Sequence, residues 1–522
     1  MKTVVAVLLS VLLALAYGAQ MSRWLRVLQR EHYDPSALLR FLGRWSSPQM
    51  PSAKTRPRAK SHRPFTLSHA LIVAMALALI FRVFDVLAIA CVVYGLFCPY
   101  GLSLRGRSSP LTWTRRLRAT AILAGGFSVA VAVLGAFSSQ PLLGEVVMVL
   151  AVPPVLDLST RVLRPFEERK AQEFVDQAVR RLEQVHPRVV AITGSYGKTS
   201  TKNHLAALLS PDLGVVASPR SYNNRAGLSK AINENVAEDT RIFIAEMGTY
   251  GPGEIRDLTS WCPPEIAVVT AIGPVHLERM KTLEIVEEAK REITERATTV
   301  VLNVDDARLA KWPASLRSQG KRVITAGSSS DAADVLVVVE AARWTFIIDS
   351  VNVGTLDAVV GVQATNLACA LGAALALGLD AKSLLERVRN VAPVASRLNV
   401  VTAPSGVVVI DDTFNANPVS AITALSVLSS LDLSGRRVVV TPGLVELGAE
   451  QYSENLRLAQ RVTALPAELV AVGRTNIAAL VAGEDVPPKR FDTRDEAVAW
   501  VRSSLAPGDG VLYLNDLPDH YP

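Results

Sequence analysis

The chain has 522 residues, a net charge of +7 and a mean hydropathy of +0.27. That length allows roughly two to four domains, and the hydropathy is high for a wholly soluble protein. The four cysteines form no CxxC pair, which argues against a zinc ribbon or disulfide frame, and basic charge gathers in the first 160 residues with no later basic patch interleaved with aromatics, which argues against nucleic-acid binding.

The first 160 residues read as a membrane region of about five apolar segments. Thr3–Ala19 is the first, and Ala14-Leu15-Ala16 resembles a signal-peptide cleavage site. The stretch Met21–Pro64 carries ten basic residues against Glu31 and Asp34, which resists export and favours an uncleaved anchor. Runs at His69–Phe81 and Val86–Leu96 are split by Arg82 and Asp85, the expected tip of a hairpin, because a charge at mid-bilayer is costly. Ala119–Phe137 and Leu142–Leu156 form a second, shorter pair. Basic residues after Met21, at Arg105–Arg118 and from Arg161 to Lys170 all fall on one side if each hairpin crosses twice. The expectation is a multi-pass cell-membrane protein with its N-terminus outside and its later domains cytoplasmic. The membrane part either brings the protein to a lipid-borne substrate or is a plain anchor.

From 161 onward short apolar runs alternate with helical stretches, the pattern of a parallel sheet covered by helices. Expected strands are Arg188–Thr193, Ile242–Glu246, Ile266–Thr270, Thr299–Asn303 and Val335–Val339 in a central domain over 161–392. A second α/β domain over 393–522 has expected strands at Val407–Asp411, Arg437–Thr441, Leu469–Val472 and Gly510–Leu514.

The first of these strands runs into Thr193-Gly194-Ser195-Tyr196-Gly197-Lys198-Thr199-Ser200 and then a helix beginning near Lys202. Strand, glycine turn and helix start make a phosphate cradle: Gly194 and Gly197 let amides point at anionic oxygens, Lys198 supplies positive charge, and the Thr199 hydroxyl suits Mg²⁺. The general pattern would place a further glycine where Ile192 stands. Glu246, at the end of its strand, is placed to hold Mg²⁺, and His276, after the next strand, to bind metal or phosphate. Lys290 sits among Glu287, Glu288, Arg291 and Glu292 and reads locally as part of a solvated helix face. Asp411 to Pro418 is a polar loop suited to a ribose or phosphate.

Together these strings resemble the Mur ligases, the ATP-dependent amide-bond-forming enzymes of cell-wall synthesis, most closely the D-alanyl-D-alanine-adding branch. The resemblance covers about Val189 to Leu514. It rests on Ile192 to Ser200, Asn223-Asn224-Arg225-Ala226-Gly227-Leu228, Glu246-Met247-Gly248 with Pro252-Gly253-Glu254-Ile255, Ile272 to Glu278, Ala289 to Ile293, Arg397-Leu398 and Asp411 to Pro418. It implies a P-loop central domain followed by a Rossmann-like C-terminal domain. It implies ATP held by Gly194, Ser195, Gly197, Lys198, Thr199 and Ser200, with Asn366 near the adenine and Arg397, Asp412 and Asn415 reaching in from the second domain. It implies two Mg²⁺ ions, one on Thr199 and Glu246, the other on His276 and a carbamylated Lys290, which contradicts the surface reading of that lysine. It also implies a carboxylate-bearing envelope precursor, activated as an acyl phosphate, and an amine that attacks it.

Three departures from the family pattern stand out. Membrane segments replace the usual UDP-sugar-binding domain. The usual Gly-Asp-Met-Leu-Glu-Leu-Gly string reads Pro442-Gly443-Leu444-Val445-Glu446-Leu447-Gly448, and the usual Lys-Gly-Ser-Arg string gives way to Asn515 to Tyr521. A polyglutamate-type ligase and a non-catalytic membrane scaffold on the same fold stay open as alternatives.

Overall fold

The computed structural model describes residues 2–31, 33, 38, 41, 84–99, 102, 104, 111–137, 142–209, 213–219, 222–275, 277–330, 333–340, 342–359, 361–393, 399–413, 416–484 and 486–515. The apolar run His69–Phe81 and the residues His276, Arg397 and Asn415 lie outside these. The chain divides into two compact units, one of Met1–Arg169 with two short later segments, the other of Lys170–Val472 and Asn476–Asp516.

The first unit is helical: α1 (Lys2–Arg30), α2 (Phe84–Phe97), α3 (Arg115–Ala136) and the start of α4 (Leu143–Val185). Leu9, Leu13, Ala16, Leu87 and Cys91 fill one cluster; Trp24, Leu28, Leu117, Ala124, Val152 and Leu156 fill another. The other faces stay apolar and exposed, at Val4, Leu8, Val11 and Leu15 of α1 and at Ile122, Val129 and Val133 of α3. Val4–Arg30, Arg115–Ala136 and Leu143–Val185 are long and apolar enough to cross a membrane. The α2 helix, with 14 residues, reaches only about 21 Å against a hydrocarbon core of about 30 Å.

Two sequence expectations change here. The basic stretch after Met21 does not begin as a loop: α1 continues to Arg30, and Arg23 and Arg26 are buried. Arg23 is stable there because it donates to carbonyls at the end of α2 and beyond, Gly95 at 2.8 Å, Leu102 at 2.9 Å and Leu96, while Gln20 donates to Gly95 at 3.1 Å and Cys98 at 2.5 Å. These bonds satisfy carbonyls that a helix C-terminus leaves without partners. The run Leu142–Leu156 is not a short segment either, because α4 continues for 43 residues through Pro153, Pro154 and Pro165. Pairs one turn apart, Asp157 with Arg161 and Arg164 with Glu168, lie along its polar continuation.

Among the described residues the second unit holds two sheets. The larger has nine strands: β1 (Arg188–Thr193), β2 (Val215–Ala217), β3 (Ile242–Glu246), β4 (Ile266–Val269), β5 (Thr299–Asn303), β6 (Arg322–Gly327), β7 (Val335–Glu340), β8 (Arg343–Ile348) and β9 (Val351–Asp357). Their order is β2-β3-β1-β4-β5-β6-β7-β8-β9. Continuous apolar strands suit a sheet covered on both faces. Val190 and Ile192 pack with Leu205 and Leu208 of α5 (Lys198–Leu209), whereas Val189 and Ala191 pack with Ile255 of α6 (Glu254–Trp261) and Val286 and Ala289 of α7 (Leu283–Arg291). The sheet is not parallel throughout, as the sequence pattern suggested: β7–β8 and β8–β9 pair antiparallel. The connection from Glu340 to Arg343 is too short for the crossover that a parallel pair needs. Helix α8 (Ala364–Ala376) covers β5, β6 and β7, with Leu367, Ala370 and Leu371 in the core.

The smaller sheet has six strands: β10 (Asn399–Thr402), β11 (Val408–Asp412), β12 (Arg437–Thr441), β13 (Ala467–Val472), β14 (Lys489–Phe491) and β15 (Gly510–Leu514), ordered β10-β11-β15-β12-β13-β14. All its pairs are parallel except β10–β11. Helices α9 (Pro418–Ser430) and α10 (Gln451–Ala464) lie among its covering elements.

Candidate functional site

The loop after β1 turns at Gly194, with φ +155°, and Gly197, with φ +80°. An added Cβ would collide with Thr270 Oγ1 at the first and Asn366 Oδ1 at the second. Only glycine therefore fits, and Asn366 is held against the loop. Thr270, after β4, donates from its hydroxyl to Thr193 O at 3.2 Å and to Tyr196 O, tying the loop to the neighbouring strand end. The helix that follows opens at Lys198, and its N-terminal amides face the loop.

Lys198 Nζ donates to Gly194 O at 2.7 Å. Thr199 Oγ1 donates to Glu246 Oε2 at 3.0 Å, so the hydroxyl and the carboxylate predicted from sequence are neighbours. Glu246 is buried and heavily partnered: Lys202 Nζ lies 3.1 Å from Oε2 and Asn223 Nδ2 donates to Oε1 at 3.0 Å. Its own amide donates to Ser218 Oγ at 3.1 Å. Ser195 sits in the loop, but its amide donates to Ala271 O at 2.8 Å, and its hydroxyl both donates to Gly273 O at 3.1 Å and accepts from Gly273 N at 2.9 Å. It therefore fixes the loop that leads to His276. Ser200 follows on the first turn of α5.

Lys290 is 2 % exposed, which corrects the local reading of a solvated lysine. Two of the charged residues beside it in sequence are engaged elsewhere. Glu287 takes Arg308 and the Trp312 indole, each at 2.9 Å, and Glu292 accepts from Gly253 N at 2.6 Å and Arg256 N at 3.0 Å at the start of α6. Burial, with the Lys198 charge adding to it, pushes the Lys290 ammonium well below its usual range. Asn366 is buried at the start of α8, donating to Gln363 Oε1 at 2.8 Å. Asp412 ends β11 with its side chain buried. Asn417, five residues further on, caps α9 by accepting from Val419 N and Ser420 N.

Residues without an assigned role in the sequence analysis prove structural to the site. Asp306 accepts from Ile272 N at 2.7 Å, Arg308 N at 2.9 Å and Leu309 N at 3.2 Å, holding the segment ahead of His276. Asp305 gathers the amides of Ser328, Ser329 and Ser330, and these bonds outweigh burial and keep its carboxyl low. Asn223 and Lys202 complete the Glu246 setting. The Asn223 string and the second lysine on α5 were both visible in sequence, but nothing there said that they meet at one carboxylate. The altered string Gly443 to Gly448 also touches this region, because Glu446 O accepts from Leu277 N at 2.9 Å.

Thr199 and Glu246 are hard oxygen donors, the kind Mg²⁺ takes. Among the described residues no cluster of three His, Cys, Asp or Glu side chains forms a closed cage. The pair therefore suits an ion whose remaining partners are phosphate and water oxygens.

A glycine turn between a buried parallel strand and a helix, with lysine, threonine and a strand-end carboxylate around it, defines a phosphate-loop α/β protein. Residues 192–374 match the Mur ligase middle domain and residues 396–514 the Mur ligase glutamate ligase domain. The UDP-N-acetylmuramoyl-tripeptide--D-alanyl-D-alanine ligase of Mycobacterium tuberculosis is 31% identical over 355 residues, 62% of this chain and 69% of that protein. The enzyme of the same name from Escherichia coli is 30% identical over 295 residues, 54% of this chain and 63% of that one. Among solved structures, the MurF ligase of Thermotoga maritima in complex with ADP superposes with a TM-score of 0.57 at 25% identity, covering 66% of this chain and 80% of that one. The chain belongs to the Mur ligase family, whose members are ATP-dependent ligases.

Proposed function

We propose that the chain is a membrane-anchored ligase that uses ATP to join an amine to a carboxylate of a cell-envelope precursor. The observation that carries this reading is the phosphate loop on which Lys198 bonds Gly194 O and Thr199 bonds Glu246, and a buried Lys290 whose ammonium the Lys198 charge disfavours adds to it. The precursor's carboxylate oxygen attacks the γ-phosphorus of ATP and ADP leaves. The amine then attacks the acyl carbon, phosphate departs with the C–O electrons, and the amine gives up a proton. Both steps crowd negative charge on the transferred phosphoryl group, and Lys198 with the loop amides offsets it. Thr199 and Glu246 would hold one Mg²⁺, which supplies further charge stabilisation when bound. A Lys290 amine kept neutral by burial is the form that adds CO₂, and the resulting carbamate would offer oxygens to a second ion, for which the family resemblance also names His276.

The relatives' name suggests the first substrates to try, a muramoyl-tripeptide carboxylate and D-alanyl-D-alanine. The exposed apolar faces of α1 and α3 support residence in a bilayer, and the basic residues from Arg161 to Lys170 support a cytoplasmic position for the second unit. A bilayer would give the enzyme access to a lipid-linked acceptor. The test is ADP release by the full-length chain in detergent, screened over precursors with and without their UDP or lipid carrier. ADP release that needs both acceptor and amine supports the reading; no release with any pair overturns it.

A further inference from the structure

Around Glu246 the chain has built a cation into the place where a metal would act. Lys202 lies one helical turn after Lys198 on α5, is 1 % exposed, and sets its ammonium 3.1 Å from Glu246 Oε2. Thr199 donates to that same oxygen, and Asn223 occupies Oε1. A buried carboxylate held by a fixed ammonium and two neutral donors is oriented and charge-compensated before any ligand arrives.

We propose that Lys202 is a positioning residue that holds Glu246 in place without metal and lowers its affinity for free Mg²⁺, so that the ion enters together with the nucleotide. This rests on the reading of Glu246 as a metal ligand. The physical basis is charge. An ammonium in contact with the carboxylate satisfies it and repels an approaching dication, and in a water-poor site that repulsion is weakly screened. A nucleotide triphosphate brings several negative charges and reverses the balance. Lys202 then keeps the carboxylate from swinging away, while Thr199 turns its hydroxyl so that a lone pair faces the ion.

The test uses the full-length chain in detergent and reads thermal unfolding against Mg²⁺ concentration without nucleotide. Wild type should show little stabilisation by Mg²⁺ alone. Lys202→Met, which keeps the stem and removes the charge, should unfold at lower temperature in metal-free buffer and recover as Mg²⁺ is added, with a midpoint roughly tenfold or more below that of wild type. Lys202→Arg should restore the wild-type response. An unchanged Mg²⁺ midpoint in Lys202→Met, or wild type stabilised by free Mg²⁺ as strongly as the variant, overturns the proposal. If Lys202→Met does not fold, the double variant Lys202→Met with Glu246→Gln decides. Recovery of a folded protein with no Mg²⁺ response supports the charge argument, and continued failure to fold assigns Lys202 to packing instead. Glu246→Gln alone separates this idea from the reading beneath it: if the Mg²⁺ dependence of ADP release is unchanged in that variant, the metal assignment itself fails.

Discussion

Both units bury cations, and Arg23 and Lys290 show two opposite ways of doing so. In the helical unit Arg23 donates to backbone carbonyls from Gly95 to Leu102, neutral acceptors that use its N–H groups and cap a helix end. In the catalytic unit Lys290 is buried near another lysine, which favours losing the proton. A cation whose donors are matched to carbonyls is there to hold helices together. A cation placed where its charge is unwelcome is there for its chemistry.

The largest expected effect follows from this contrast. Lys198→Ala should reduce ADP release by about 10³-fold or more, because the loop loses the charge that offsets the transferred phosphoryl group. Lys290→Met should cut turnover by at least about 10²-fold without lowering the unfolding temperature at pH 7. The sign follows from linkage. The folded-state pKa of Lys290 is depressed, so its stabilising contribution is full only above the unfolded value of 10.5 and has been eroded by the time pH falls to neutrality. Removing the amine therefore relieves a burden, and a marked loss of stability in Lys290→Met would break the contrast.

Arg23→Met should behave in reverse. It takes the Arg23 donor from the Leu96 and Leu102 carbonyls, while Gln20 still serves Gly95 and Cys98, at a cost on the order of 2 kcal/mol, and turnover per folded molecule stays near wild type. Denaturant unfolding in detergent alongside ADP release would separate the two effects.

A smaller effect sharpens the picture inside the catalytic core. Burial pushes His204, on the covered face of α5, down to about 4 from 6.5. Its stabilising contribution is complete above pH 6.5 and is lost as pH falls toward 4. Between pH 7 and pH 5 wild type should lose about 2 kcal/mol that His204→Leu does not lose.

The fold was legible where strands are continuous apolar runs. Arg188–Thr193, Ile242–Glu246, Thr299–Asn303 and Gly510–Leu514 stand in the structure as expected. The β8–β9 hairpin was missed because its alternation of buried Trp344, Phe346 and Ile348 with the more exposed Arg343, Thr345 and Ile347 belongs to an antiparallel extension outside the βα rhythm. The α1 helix was cut short at the first arginines, since a sequence cannot show that carbonyls of a distant helix end will satisfy them. The phosphate loop could be read from its glycines and Lys198. The burial of Lys290 could not be read from its acidic neighbours, because whether a charged helix face is solvated depends on partners such as Arg308 and Gly253 that tertiary packing supplies. Only the family resemblance pointed to it.

The central claim is that the loop from Gly194 to Ser200 holds nucleotide phosphates against Lys198. Titration of the full-length chain in detergent with a non-hydrolysable ATP analogue and Mg²⁺ tests it most directly. The account predicts saturable one-to-one binding that Lys198→Ala weakens by at least about tenfold. No binding by wild type, or equal binding by the variant, would contradict it.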